Sequence, residues 1–158
     1  MYRKLLAAAL CAWALPATAD DTANSMQTYL DSEIRDWANS AVLVEAIRAR
    51  NEMTSGYSQA EIDALDAAWR AEVGTARRPT IDPILENAAS EFLRSVVAEA
   101  GGTITEVFVM DARGLNVAAS DVTSDFWQGD EAKYTETVPN GPEGVHFSEI
   151  EFDESSQS

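Results

Sequence analysis

The sequence predicts an α+β protein, with a helical first half followed by a small antiparallel sheet. Three observations carry that reading. Apolar residues recur at helical spacing from Met26 to Val97. The period changes to two from Thr103 onward. Gly101-Gly102 stands at the change of period and Gly114 inside the strand-like part, where turns are needed.

The first element reads as a targeting segment. Arg3 and Lys4 give a positive start, and Leu5 to Leu15 is an unbroken apolar run. Pro16 ends the run, and Ala17-Thr18-Ala19 puts small residues where a signal peptidase cuts. The expected cleavage lies between Ala19 and Asp20, leaving residues 1–19 as a signal peptide. An apolar run of eleven residues is short of the roughly 20 that a spanning helix needs. The flanks have a bacterial character, so the expected destination is the periplasm. Cys11, the only cysteine, lies inside the run behind Leu10, which is not the small-residue context of a lipidation site. Cleavage removes it and excludes a cysteine nucleophile, a disulfide or a thiolate metal site in the mature chain.

Residues 20–100 form the helical region. Met26, Leu30, Ile34, Trp37, Ala41 and Val44 fall on one stripe, and Leu43 and Ile47 widen it. This predicts one helix over residues 23–52, roughly 45 Å long at 1.5 Å per residue. Ser58-Gln59-Ala60-Glu61 has the capping-box pattern and opens a second helix to about Val73, ended by Gly74. Asp82-Pro83 opens a third, with Ile84, Leu85, Ala88, Phe92, Val96 and Val97 on its apolar face.

Residues 101–158 form the sheet region, and the two regions make one domain. Thr103 to Met110 predicts a strand apolar on both faces, hence one covered on both. Asp111-Ala112-Arg113-Gly114 is a tight turn with Asp111 as its former, and Leu115 to Ser120 a second, half-exposed strand. Asp130-Glu131 predicts a short helix through Lys133 and Tyr134. Asn140 to Gly144 is a turn cluster, and Val145 to Phe152 a third strand with a bulge.

The order of signal peptide, long helix, two shorter helices and then Ile104 to Ser120 resembles a known family. It is similar to the extracytoplasmic PAS-like sensors called Cache domains, in their single-module form. The hairpin with Asp-x-x-Gly between its strands, the segment Asp121 to Lys133 and the stretch Val145 to Asp153 carry the likeness. The resemblance implies a PAS-like antiparallel sheet with the long N-terminal helix packed on one face. Small ligands then sit on the other face, beneath the loops after the second strand. The family sheet has five strands and this chain offers three, so the fold implied is C-terminally truncated. Two more strands and a turn need about 15–25 residues.

Four residues are the binding candidates. Trp127 is a large aromatic in a polar loop, suited to stack on a ligand or to plug the sheet face as core. Lys133 supplies local positive charge for a carboxylate, or is a solvated surface lysine. Tyr134 offers a hydroxyl donor or core bulk. Asp125, with Asp130 and Glu131, offers an amine or hard-cation partner, or caps a helix. Trp69 sits on an apolar stripe and reads as core. His146, the only histidine, reads as an exposed strand residue and makes no zinc site alone.

Composition limits the function. The chain carries 11 basic and 27 acidic residues, a net charge of −16, and loss of Arg3 and Lys4 takes it to −18. Such a field repels nucleic acid and anionic lipid. No nucleophile elbow, zinc-protease helix or phosphate loop occurs, so no enzyme, cofactor or metal is expected. The reading is a periplasmic, non-catalytic sensing or binding domain for a small molecule, a carboxylate or amino acid, with a membrane-bound signalling partner. The alternatives are an interaction protein that homodimerises through its long helix, and a non-functional truncated remnant.

Overall fold

A computed structural model describes residues 19–148 of the 158. The predicted targeting segment therefore lies outside the described residues up to Thr18, as does the third strand from residue 149 on. The architecture is α+β, with helices preceding a two-stranded antiparallel sheet.

The long first helix is broken. α1 spans Ala19–Tyr29, a π-turn occupies Leu30–Ile34, α2 is Arg35–Ala38 and α3 is Ala41–Thr54. Ser40 takes an extended conformation (φ −60°, ψ 144°), and its N–H donates to the Trp37 carbonyl at 3.0 Å. The break rotates the second half of the stripe. Leu43, rather than Ala41 or Val44, becomes the fully buried apolar residue of α3.

α4 (Gln59–Glu72) begins as predicted. The Ser58 side chain accepts from the Glu61 N–H while Glu61 accepts from the Ser58 N–H. Gly74, at φ 75°, follows its end. The predicted third helix is divided into α5 (Asp82–Leu85) and α6 (Ala88–Glu99). Asn87 causes the division, because its side chain accepts from the Ser90 N–H and starts a new helix.

β1 is only Phe108–Met110 and β2 is Asn116–Ala119. They pair antiparallel, with an irregularity between Val109 and Met110 that leaves Val117 without a register partner. The expected half-exposed second strand is instead wholly buried, because α3, α5 and α6 cover it. β1, expected to be covered on both faces, is half-buried. Residues 145–148 are not a strand; they follow a 3₁₀ turn, Val138–Glu143. The short helix α7 runs from Ala132 to Thr135, with Glu131 at its N-cap.

Two apolar clusters hold the body together. One joins Ile62 and Trp69 of α4, Ile81, Ile84, Leu115 and Phe126. The other joins Leu43 of α3, Ala89 and Leu93 of α6 and Ala118 of β2, with Val107 and Val109 packed against it. Val109 and Ala118 thus face the helices. Successive strand residues point to opposite faces, so Phe108 faces away from them.

Candidate functional site

Residues 123–135 fold back over the hairpin, and the site is built on that return. The Asn116 N–H donates to the Phe126 carbonyl at 3.0 Å, and the Gln128 N–H donates to the Gly114 carbonyl at 2.8 Å. Leu115 and Trp127 form a bridge between these bonds. The segment therefore lies beside the start of β2 like a short irregular strand. Asp66 anchors it from α4. One carboxylate oxygen accepts from the backbone N–H groups of Phe126 (2.9 Å) and Trp127 (3.0 Å). The other pairs with Arg70 Nε at 2.8 Å. Asp66 is buried, and these three donors satisfy its charge.

Phe126 and Trp127 then separate. Phe126 turns inward and stacks on Trp69, with ring centroids 5.1 Å apart and planes 15° from parallel. The Trp69 indole N–H donates to the Thr123 carbonyl at 2.8 Å, so both aromatic residues fix the loop. The Trp127 indole N–H donates to the Arg113 carbonyl at 2.8 Å. Its ring passes so close to Gly129 that a Cβ there would lie 2.7 Å from the indole Cε2. Gly114, at φ 79°, sits against Gly129 in the same way.

A chain of polar contacts crosses the loop. Arg70 reaches Asp125 at 3.4 Å. Gln128 donates to the Asp125 carboxylate at 2.5 Å and accepts from Lys133 Nζ at 3.0 Å. Lys133 Nζ also pairs with Glu131 at 2.9 Å and lies 5.2 Å from the centroid of the Phe108 ring. The Tyr134 hydroxyl donates to the Ala112 carbonyl at 2.7 Å, latching α7 onto the hairpin turn.

All four candidate residues thus come together, and each has a partner within the chain. Trp127 and Tyr134 hold carbonyls of the turn. Asp125 is held by Arg70 and Gln128. Lys133 is the most open of the four, 44% exposed, and its carboxylate partner Glu131 is 37% exposed. The suggested cation cluster of Asp125, Asp130 and Glu131 does not form. Among the described residues no group of three His, Cys, Asp or Glu is placed to hold a metal ion. His146 is not on a strand and contacts the Glu136 carboxylate at 2.8 Å.

Sequence reasoning missed Asp66, Gln128 and Phe108. Asp66 carried a signal. It stands four residues after Ile62 and three before Trp69, an acid on the apolar stripe of α4. Such a position calls for buried donors. Gln128 carried none, because its role depends on the loop path.

No protein-family model matches the chain, and neither does any curated protein or solved structure. Among the described residues no helix is long and apolar enough to cross a membrane.

Proposed function

We propose that this chain is a periplasmic, non-catalytic domain of the PAS-like Cache type that binds a small carboxylate or amino acid on the outer face of its hairpin. One observation carries the proposal. The Lys133 ammonium is held over Phe108, on the sheet face turned from the helices, and among the described residues only the half-exposed Glu131 carboxylate neutralises it. A ligand carboxylate replaces Glu131 there at little cost, since exposed ion pairs are worth about 0–1 kcal/mol. An amino group on the same ligand pairs with the released Glu131. Trp127, Tyr134 and Asp125 then act by fixing the loop that carries Lys133. A membrane-bound partner would read the change in that loop.

Calorimetric titration with amino acids and small carboxylates tests this. Saturable binding to the intact chain, weakened about tenfold or more in K133A, supports it. Absence of binding across the series, or binding indifferent to K133A, overturns it.

A second reading has its own observation. No residue from Asp21 to Ala38 is buried, and Met26 is 40% exposed on the predicted apolar stripe. A helix with an open apolar stripe suits pairing with a second copy. Sedimentation of L30D/I34D against the parent decides it, with a dimer lost in the variant as the supporting result.

A further inference from the structure

We propose a second site, an apolar groove between α3 and the α5–α6 junction that takes an amphipathic monocarboxylate through Arg50. The hollow measures about 500 Å³, and Val42, Ala46, Met53, Pro83, Ile84 and Val117 give it apolar walls. That size suits a small organic ligand. Met53, 60% exposed, stands on its wall as a large apolar side chain that the described residues leave open.

Arg50 is the group that sets the ligand's chemistry. Its Nε is buried without a hydrogen-bond partner, so a ligand meets the guanidinium through its terminal nitrogens. One terminal nitrogen reaches only the Met53 sulfur, at 3.7 Å. The guanidinium carbon lies 5.2 Å from the centroid of the Phe126 ring, which shields one side. Among the described residues no carboxylate pairs with Arg50, although the chain has 27 acidic residues to 11 basic ones. A half-buried guanidinium keeps its charge and presents a planar fork that matches a carboxylate. The ligand it lacks is therefore an anion with an apolar body.

The charge of that ligand is limited to one. Among the described residues Arg50 is the only cation on the groove, and Glu45 lies on the same wall and repels a second negative charge. The other polar side chain there, Asn87, is already spent. Its amide donates to the carbonyls of Ile84 (2.8 Å) and Val117 (3.0 Å), and its oxygen accepts from the Ser90 N–H. Neither Lys133 nor Glu131 lines the groove, and the loop that carries them meets this site only through the Phe126 ring against Arg50.

Octanoate is the probe, with octan-1-ol and octylamine as controls of equal length, followed by titration calorimetry on the full chain. Octanoate binds, and octanol and octylamine bind about tenfold more weakly or worse, because only the acid meets the guanidinium. R50Q removes that preference and leaves octanol as it was, while K133A leaves octanoate binding intact. Circular dichroism melts check the fold of R50Q. If that variant does not fold, A49W carries the test, since Ala49 is an exposed residue of the groove wall and a tryptophan there fills the hollow. Octanoate binding lost in A49W supports the site. Octanol binding as tightly as octanoate, octanoate binding unchanged in R50Q or retained in A49W, or its loss in K133A, overturns it.

Discussion

The Thr54 hydroxyl donates a 2.7 Å hydrogen bond to Asp111 Oδ2, joining the end of α3 to the hairpin turn across 57 residues of chain. Both groups are buried. The other Asp111 oxygen accepts from the N–H groups of Arg113 (2.8 Å) and Leu115 (3.0 Å), so one carboxylate both forms the turn and docks it. Asn51 adds to the junction by accepting from the Ala112 N–H at 2.6 Å. T54V keeps the shape and removes the donor, leaving one oxygen of a buried carboxylate unmet. The expected cost is about 2 kcal/mol, within the range for a hydrogen bond to a charged group. Urea denaturation measures it, and a loss under about 0.5 kcal/mol would show that water replaces the hydroxyl.

The turn itself was readable from Asp111 to Gly114, because an acid at the first position and a glycine at the last carry local chemistry. Thr54 was not readable, since nothing in a helix stripe announces a partner so distant in sequence. The same division runs through the fold. Ser58-x-x-Glu61 and Gly74 marked the ends of α4 by contacts within a few residues. The break at Asn39-Ser40 stayed hidden, because apolar residues continue through it at helical spacing and only the packing of Leu43 reveals the turn of the stripe. The site was half legible for the same reason. Trp127, Lys133, Tyr134 and Asp125 were found by residue type, but their partners Arg113, Gln128, Ala112 and Arg70 follow from the path of the loop.

Three helix starts that look alike in sequence are predicted to differ in energy. Ser40 begins α3 with no side-chain cap, and its buried hydroxyl has no partner. S40A is therefore nearly neutral, within about 0.5 kcal/mol. Ser58 makes a full capping box, and S58A costs about 1 kcal/mol. Asn87 caps α6 and also donates to two carbonyls, one of them in β2, so N87A costs about 2 kcal/mol or more. Chemical denaturation of the three variants gives the order, and a costly S40A would contradict the unpartnered hydroxyl.

Acid lability is expected from Glu72. Partial burial pushes its carboxyl group up, but bonds from the Thr80 hydroxyl and from the Thr80 and Ile81 backbone N–H groups outweigh this and hold it below the usual carboxylate value. Glu61 is held down likewise, first by the Ser58 backbone N–H and then by the Ser58 hydroxyl. A folded value below the unfolded one means stability that is present above the ordinary glutamate value, about pH 4.3, and is lost as pH falls through the folded value. E72Q is then less stable than the parent at neutral pH, and the gap closes as pH drops from about 5 to about 3. Thermal melts across that range check it. A gap that stays constant would show that the amide serves Thr80 and Ile81 as well as the carboxylate does.

Gly129 resists replacement although its φ is not positive. A Cβ there meets the Trp127 indole at under 3 Å on several ring atoms, and the indole cannot swing away without losing its bond to the Arg113 carbonyl. G129A therefore costs about 1–3 kcal/mol through forced displacement of the ring. Gly56 provides the control, since a Cβ there meets nothing within 4 Å and its φ is not in the left-handed region. G56A is neutral or stabilising by about 0.4–1 kcal/mol, because it narrows the unfolded ensemble. W127F removes the indole donor and part of the ring's packing, and costs about 1–3 kcal/mol. In the double variant G129A/W127L the clash is relieved, so the two losses add to less than their sum. Denaturation midpoints for the parent, G129A, W127L and the double variant decide the matter, with G56A and W127F as controls. Strict additivity would mean that the ring does not press on Gly129.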